Sequence, residues 1–186
     1  MAKKKTKKMN MTKLIVTIVV IALAILTICT LFMPVFTSVV DSILGSTSSS
    51  ISGADAITAC FHGEVSSDLN SGANALITMK ASEDAGFVTT VFCWSYFLAV
   101  LVSGAVLVFA VLSLVGLRFK LVNTILGIAL VLLALVAFIF GFVVASKFGS
   151  VELGSLVSGK TSASIGSWLM LAGMVTGVAN VYNATA

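Results

Sequence analysis

Charged residues are scarce in this chain and are missing from its longest stretches. Only 10% of its 186 residues are charged, whereas 59% are hydrophobic, and the mean hydropathy is +1.15. Four runs contain no charge at all and cover residues 14–40, 85–117, 121–146 and 161–186. This composition is typical of membrane proteins and argues against a soluble domain.

Ionisable side chains are also missing where several membrane functions would need them. No Asp, Glu, Lys, Arg or His lies within the core of any of the four runs. Proton relays, coupled transporters and voltage sensors keep such residues inside the membrane, so the sequence argues against these classes. A passive pore lined by hydroxyls and backbone groups stays open, as does one formed only by an oligomer.

Potential metal ligands are few, because the chain has one histidine and three cysteines. Cys60, His62 and Glu64 alternate, so a strand would place all three on one face. Zinc sites use four ligands, or three and a water, at recognisable spacings, and no second pair of ligands exists. No residue is marked to orient the imidazole for catalysis. We expect no metal, no cofactor, no small-molecule substrate and no enzymatic activity.

The three cysteines also bear on redox state. Cys29 lies in the middle of the first apolar run, and Cys93 lies in the outer part of the second. We expect three free thiols, while a pairing of Cys60 with Cys93 near the outer surface stays open.

Each uncharged run is long enough for a membrane helix, which needs about 20 apolar residues. The predicted fold class is an all-α integral membrane protein with a four-helix transmembrane bundle. The predicted spans are 14–36, 87–117, 121–146 and 162–182, separated by a large loop (37–86), a tight turn (118–120) and a short loop (147–161). So tight a turn predicts an antiparallel helical hairpin, with Gly116 as C-cap and Asn123 or Thr124 as N-cap.

Basic residues are distributed unequally between the two predicted sides. Three of the eleven, Lys80, Lys147 and Lys160, fall on the side that holds all seven carboxylates. The other eight fall on the opposite side, and they are Lys3, Lys4, Lys5, Lys7, Lys8, Lys13, Arg118 and Lys120. Because basic residues favour the cytoplasmic side, both termini (1–13 and 183–186) are predicted to be cytoplasmic. The membrane is predicted to be the plasma or bacterial inner membrane, and no nucleic-acid binding is expected.

The outer loops contain patterns that suggest further structure. Residues 54–61, 75–80 and 150–153 are predicted as short strands of a small antiparallel sheet over the outer mouth of the bundle. The serine-rich stretch 45–53 is predicted to be flexible. Pro34, the only proline, lies near the outer end of the first helix, where a missing N–H matters least.

Small residues at four-residue spacing predict the surfaces through which the helices pack. Such residues let helix backbones approach closely in a membrane. Packing within the chain is the expected use, and dimerisation through Gly173 and Gly177 is the alternative. The predicted packing residues are Gly166, Gly173 and Gly177 on the fourth helix, Ala137, Gly141 and Ala145 on the third, and Ser95, Ala99 and Ser103 on the second.

Three aromatic residues are predicted to anchor the helices at the outer interface. Trp94, Tyr96 and Trp168 fall at similar depths near the outer ends of their helices. Trp and Tyr are enriched at this level of the bilayer, where their rings are partly wet. We therefore expect these side chains to form an aromatic belt.

The layout resembles the claudin-like superfamily: four helices, both ends inside, a long first outer loop and a short second one. Members of that superfamily carry tryptophans and two bridging cysteines in the first loop. Here that loop contains no Trp and only Cys60. The resemblance therefore implies the membrane layout but transfers no functional residue.

The predicted function is that of a non-enzymatic structural, assembly or accessory subunit. It would act through helix packing and its outer loops, with the lipid bilayer as solvent and copies of itself or another membrane protein as partner. The alternative is a small passive channel or transport subunit.

Overall fold

Four long helices form the body of the protein. The computed structural model describes residues 11–42, 45–117, 119–148, 150–152 and 157–185. Within these residues, four helices are long and apolar enough to cross a membrane, and they cover Met11–Phe32, Gly86–Leu114, Lys120–Lys147 and Ile165–Thr185. The predicted four-helix membrane architecture is confirmed.

The first helix ends earlier than its apolar run suggests. Helix α1 covers Met11–Cys29 and is continued by a 3-10 turn at Thr30–Phe32. Strand β1 then begins at Pro34. A residue before proline disfavours helical geometry, and Met33 is accordingly extended, with φ −98° and ψ 150°. The predicted span 14–36 is therefore wrong at this end, because apolar content alone does not register the break at Pro34.

Helices α4 (Gly86–Leu114) and α5 (Lys120–Lys147) form the predicted antiparallel hairpin. At the end of α4, Gly116 adopts φ 94°. Its N–H donates to the Ser113 carbonyl at 3.1 Å, while the Leu117 N–H donates to the Leu112 carbonyl at 3.1 Å. These two bonds form a Schellman motif in which Val115 is the C-cap residue and Gly116 takes the left-handed position after it, so the predicted C-cap is one residue too late.

The start of α5 differs from the prediction. The helix begins at Lys120 with Phe119 as its N-cap residue, so the predicted capping by Asn123 or Thr124 is wrong. Asn123 lies inside the first turn and is buried. Its carbonyl accepts a hydrogen bond from Asn180 Nδ2 at 2.8 Å, so tertiary packing determines its position.

The four long helices pack in a ring, in which α1 contacts α4 and α6 (Ile165–Thr185), and α5 contacts the same two helices. The interior is filled by small and medium apolar side chains, among them Val20, Ala24, Val106, Leu130 and Ala134. Large apolar side chains on the outer faces are exposed, among them Leu101, Val108, Leu132, Val175 and Val178. A bundle with an apolar exterior is suited to lipid as its solvent.

A four-stranded antiparallel sheet extends from one end of the bundle. Its strands are β1 (Pro34–Ser42), β2 (Gly45–Ser52), β3 (Ser150–Glu152) and β4 (Val157–Ala163), in the order β2-β1-β4-β3. Strand β1 leaves α1 and β4 leads into α6, so the pair Phe36 and Ala163 lies near the bundle and the pair Ser42 and Val157 lies farthest from it. We call this the sheet end, and the opposite end, with the α4–α5 turn, the hairpin end.

The predicted sheet is present, but it uses different residues from those expected. The strand predicted at 150–153 is confirmed at Ser150–Glu152, and Leu153 lies outside the described residues. The serine-rich stretch predicted to be flexible forms β2, so that prediction is wrong. Its residues pair with β1 along the whole of that strand. Because the pairing uses backbone hydrogen bonds, a serine-rich strand can pair with a neighbour that is rich in β-branched residues.

Two short helices, not strands, occupy the rest of the large loop. Helices α2 (Gly53–Phe61) and α3 (Ser71–Lys80) replace the strands predicted at 54–61 and 75–80. A capping box between Ser52 and Asp55 starts α2. In α3 the buried residues Ala73, Leu76 and Ile77 follow helical spacing. Both helical signals are present in the sequence.

An aromatic cluster joins the sheet to the bundle. Phe36 of β1 packs against Phe92 of α4 at 5.2 Å and against Phe148, after α5, at 5.8 Å between ring centroids. Phe92 packs in turn on Tyr96 at 5.8 Å. Burial of one such side chain contributes about 1.5–3 kcal/mol, so this cluster ties the base of the sheet firmly to the helices.

Candidate functional site

Strand β2 forms an exposed edge of the sheet. It pairs with β1 on one side, and no other described strand pairs with its second side. Five consecutive hydroxyl residues along it are exposed, namely Ser46, Thr47, Ser48, Ser49 and Ser50. The strand contains neither a charged residue nor a proline, the two devices that commonly block an edge. This edge can accept a further strand.

The face of the sheet is lined by hydroxyl groups. Ser38 on β1 and Thr161 on β4 join their hydroxyls across the two central strands at 2.7 Å. Lys160 and Ser162 on β4 are exposed on the opposite face, because neighbouring residues of a strand point to opposite sides. Both faces of the sheet therefore carry hydroxyl groups, and Lys160 adds a positive charge to one of them.

The base of the sheet is bonded directly to α6. The Val35 carbonyl on β1 accepts hydrogen bonds from the Ser164 N–H at 2.8 Å and from Ser167 Oγ at 2.9 Å. A Cβ at Gly166 would lie 2.8 Å from the Pro34 carbonyl oxygen. The predicted packing residue Gly166 thus lets β1, rather than another helix, approach α6.

Helices α2 and α3 form a small unit, residues 53–80, that we call the cap. Asp55 is buried at 7% exposure and organises its centre. Its Oδ2 accepts from the Ser52 N–H at 2.9 Å and from Ser52 Oγ at 2.8 Å, and its Oδ1 accepts from Asn70 Nδ2 at 3.3 Å. A Cβ at Gly72 would lie 2.7 Å from Oδ2. The carboxylate therefore joins the starts of both short helices.

Lys80 joins the ends of the same two helices. Its ammonium, at the end of α3, donates to the carbonyls of Ala59 and, at 3.2 Å, of His62 at the end of α2. A cation at a helix C-terminus satisfies the carbonyls that lack partners within the helix. Lys80, predicted only as an outer basic residue, is in fact a tertiary cap of α2.

Cys60, His62 and Glu64 do not lie on one strand face. Cys60 belongs to α2 and is buried, whereas His62 and Glu64 are exposed beyond its end. The His62 ring Nδ1 bonds to the Thr58 carbonyl at 2.9 Å. The described part of the chain holds no group of three or more His, Cys, Asp or Glu side chains that could bind a metal ion.

The Cys60 thiol faces a second cysteine. Its Sγ donates to the Ala56 carbonyl of its own helix at 3.4 Å, Cys93 of α4 lies next to it, and both cysteine side chains are buried in the core. The neighbouring Cys93 thiol lowers the pKa of Cys60, burial raises it, and the nearby Lys80 ammonium lowers it, with a net lowering. The two cysteines are free thiols in this structure.

The residues predicted to pack helices are all buried. A Cβ at Gly173 would lie 3.2 Å from Ala134 Cβ of α5 and 3.3 Å from Thr27 Cγ2 of α1. A Cβ at Gly177 would lie 2.5 Å from the Gly127 carbonyl oxygen of α5. Because α1 and α5 cover these glycines, the alternative of dimerisation through Gly173 and Gly177 is wrong. Gly127, which the sequence analysis missed, provides the close approach, because a Cβ at Gly127 would lie 2.7 Å from the Gly177 carbonyl oxygen.

The small residues nearer the sheet end lie at the contacts of α4 with α5 and α1. A Cβ at Gly141 would lie 3.3 Å from Phe92 Cε2 of α4. Ser103 Oγ of α4 donates to the Ala24 carbonyl of α1 at 3.2 Å. Ala99 of α4 and Ala137 of α5 are fully or almost fully buried in the interior. These residues bring α4 close to both of its neighbours.

Two of the three predicted belt residues lie at the surface. Trp94 is 42% exposed and Trp168 is 53% exposed. Tyr96 is completely buried and donates its hydroxyl hydrogen to Thr30 Oγ1 at 2.8 Å, so its assignment to the belt is wrong. Residues two positions apart point to nearly opposite sides of a helix, so Trp94 and Tyr96 cannot both face the lipid.

The hairpin end gathers the described members of the predicted cytoplasmic set of basic residues. Lys13 and Lys120 line a cavity of about 20 Å³ together with Asn123 and Asn183. Asn183 Nδ2 donates to Thr17 Oγ1 at 2.8 Å, which ties the end of α6 to the start of α1. The other predicted basic residues, Lys3, Lys4, Lys5, Lys7, Lys8 and Arg118, lie outside the described residues.

Comparison of the chain with protein-family models, with curated proteins and with solved structures gives no match. The geometry therefore provides the argument for function. The arrangement offers an edge strand, a hydroxyl-lined sheet and a cap fixed to α4, all at one end of an apolar bundle.

Proposed function

We propose that this protein is a non-enzymatic assembly or accessory subunit that binds another membrane protein, or copies of itself, through the four-stranded sheet at its sheet end, which we call the sheet domain. The observation that supports this most directly is the open edge of β2, with its five exposed hydroxyl residues. Addition of a strand to such an edge gives affinity through backbone hydrogen bonds. The eight residues of β2 provide an edge of about 26 Å for this purpose.

Anchoring of the sheet to the bundle supports the same proposal. Because Val35 and Phe36 hold β1 to α6 and α4, the edge of β2 keeps a defined orientation relative to the helices. An interaction surface on a rigid element pays less ordering entropy on binding than a flexible loop would. The rigid position of β2 thus favours a role in binding a partner protein over a role as a flexible connection between helices.

The membrane and the orientation are part of the proposal. The multi-pass character follows from the four apolar helices. We place the hairpin end in the cytoplasm of a plasma or bacterial inner membrane, because Lys13 and Lys120 lie there while Asp55, Asp68 and Glu83 belong to the sheet end. The sheet domain would then face the exterior, where a partner's outer domain could reach β2.

The claudin-like layout is proposed on similar grounds. Strands from both loops form one sheet above four helices, which supports a common layout. The first loop has no tryptophan, and its cysteine faces α4 instead of a neighbouring strand. We therefore propose the resemblance for architecture alone.

A passive channel has less support than an assembly role. A water path would need polar groups available to solvent along the bundle axis. The buried hydroxyls of Thr27, Ser103 and Thr176 donate instead to backbone carbonyls of the bundle. Oligomers in which several bundles surround a pore are a separate case that conductance measurements on the purified assembly would detect.

Isolation from native membranes in mild detergent tests the proposal. We expect the full chain to migrate as a defined complex, and Ser49→Lys on the edge strand to weaken that complex. Ser162→Lys is the matched control, because it adds the same charge to an exposed position of β4, an inner strand. A chain that migrates as a monomer without any associated protein would count against the proposal, as would equal behaviour of both variants.

A further inference from the structure

Two buried thiols from different elements meet between the cap and the bundle. Cys60 lies in the last turn of α2, and Cys93 lies in α4. Their exposed fractions are 7% and 0%, and the two side chains are neighbours in the core where α2 packs on α4. Helix α3 lies between these two cysteines in the sequence, so a bond between them would join separate segments of the chain.

Neighbouring contacts hold the two cysteines in place. Phe61, next to Cys60, packs edge-on against Trp94, next to Cys93, with ring centroids 5.6 Å apart. Phe61 also packs against Phe97 at 5.1 Å. Lys80 holds the carbonyl end of α2 from the other side. The thiols therefore meet through packing of both backbones and not through a chance rotamer.

We propose that Cys60 and Cys93 form a reversible disulfide that fastens the cap to α4. The bond requires the two sulfur atoms to approach to about 2.05 Å through rotation of both cysteine side chains. Cys29 lies in α1 and takes no part. The oxidant is another disulfide, either a small-molecule disulfide or that of a thiol–disulfide oxidoreductase.

The exchange balances in two steps. The Cys60 thiolate attacks one sulfur of the oxidant, which forms a mixed disulfide and releases the first thiolate. Cys93 then loses its proton to that released thiolate, and its own sulfur attacks Cys60 Sγ to release the second thiolate. Two protein thiols are oxidised and one external disulfide is reduced to two thiols.

The structure assigns different roles to the two cysteines. Cys60 is the attacking thiol, because it lies at the slightly exposed end of α2 and near the Lys80 ammonium. The lowered pKa of Cys60 agrees with this order of events. Cys93 is completely buried and can react only with a sulfur already held at Cys60. A transient opening of the cap must admit the oxidant.

The bond would change how freely the cap opens. In the reduced protein, the end of α2 is held on α4 by the contacts of Phe61 and the thiols. A disulfide would close the loop from residue 60 to residue 93 and restrict the open and unfolded states. The cap would thus respond to the redox state on its side of the membrane, independently of any partner bound at β2.

The test uses the purified full chain in mild detergent, first reduced and then incubated with oxidised glutathione. We expect peptide mass spectrometry after alkylation to show a Cys60–Cys93 linked peptide, with Cys29 alkylated as a free thiol. The oxidised protein should unfold at a temperature higher by roughly 5 °C or more, and reductant should reverse this shift. Cys29→Ser should behave as the wild type, whereas Cys60→Ser and Cys93→Ser should lose the shift.

Three results would overturn the proposal. One is full alkylation of both cysteines in denaturant after the oxidation step. Another is a linkage of Cys60 to a second copy of the chain or to Cys29. The third is an oxidised protein with the link present but unchanged unfolding temperature. If the serine variants fail to fold, the comparison of oxidised and reduced wild type decides the matter by itself.

Discussion

Gly127 of α5 and Gly177 of α6 lie directly against each other, and each leaves room for the other's backbone. A Cβ built on Gly127 would lie 2.7 Å from the Gly177 carbonyl oxygen, and a Cβ built on Gly177 would lie 2.5 Å from the Gly127 carbonyl oxygen. Both distances are too short for a carbon atom beside a carbonyl oxygen, so the two helices approach at this point only because both residues are glycine. Close packing of this kind replaces the hydrophobic drive that lipid removes.

A methyl group at Gly177 is expected to push α5 and α6 apart. Gly177→Ala should lower the free energy of unfolding by about 1–3 kcal/mol through overpacking. The measurement is chaotrope or thermal unfolding in detergent. Gly104→Ala in α4 is the matched control, since a Cβ there meets no atom within 4 Å, and the higher helix propensity of alanine should make it neutral or stabilising. An equal loss of unfolding free energy in both variants would show that the Gly127–Gly177 contact is not the cause.

The Tyr96 hydroxyl is expected to stabilise the junction between α4 and the end of α1. Tyr96→Phe removes its bond to Thr30 while keeping the ring, and should cost about 1 kcal/mol. Tyr182→Phe is the control, because Tyr182 of α6 is 55% exposed. Thermal unfolding of the two variants side by side measures the difference, and an unchanged midpoint for Tyr96→Phe would contradict the buried bond.

Removal of the Asp55 carboxylate is expected to loosen the cap selectively. Asp55→Ala deprives Ser52 and Asn70 of their acceptor and should cost about 1–3 kcal/mol, mostly within α2 and α3. Hydrogen exchange should speed up at the amides of these helices more than in the bundle. Asp68→Ala removes an exposed carboxylate from the same region and serves as control. Uniform acceleration across the bundle would show that Asp55 acts on the whole fold and not on the cap.

The orientation can be tested with single cysteines at the two ends. In a background without the native cysteines, Ser48→Cys on β2 should react with a membrane-impermeant maleimide applied to intact cells. Lys120→Cys at the hairpin end should react only after the cells are opened, because basic flanks favour the cytoplasmic side. Both positions are exposed in the structure, so access to the side chain is matched. The reverse pattern of labelling would show that the orientation is the opposite of the one proposed.

Several features of the sheet end had a local signal that the sequence analysis did not use. The Ser52–Asp55 capping box and the helical spacing of Ala73, Leu76 and Ile77 both predict helices where strands were expected. Strand β2 has no comparable signal. Its serines form a strand because β1 lies beside them, and that pairing appears only in three dimensions.

The same distinction applies to the candidate site. The opposite orientations of Trp94 and Tyr96 follow from helical geometry, but which of them faces lipid depends on where Thr30 and Phe92 pack. The partner of Gly177 was missed because Gly127 lies far from it in sequence. Cys60 and Cys93 are likewise far apart in sequence, so only the fold brings them together.

The amino-acid sequence by itself determined the four membrane helices, the Gly116 turn and the split of charge between the two ends. These properties depend only on composition and on spacing within a few residues. The length of an apolar run decides whether a helix can cross the membrane, and local capping residues decide where a helix ends. Only the tertiary structure decided that β2 is an edge strand, that Gly127 opposes Gly177 and that Lys80 caps α2. Each of these is a contact between segments distant along the chain, and its free energy exists only when the fold brings both partners together.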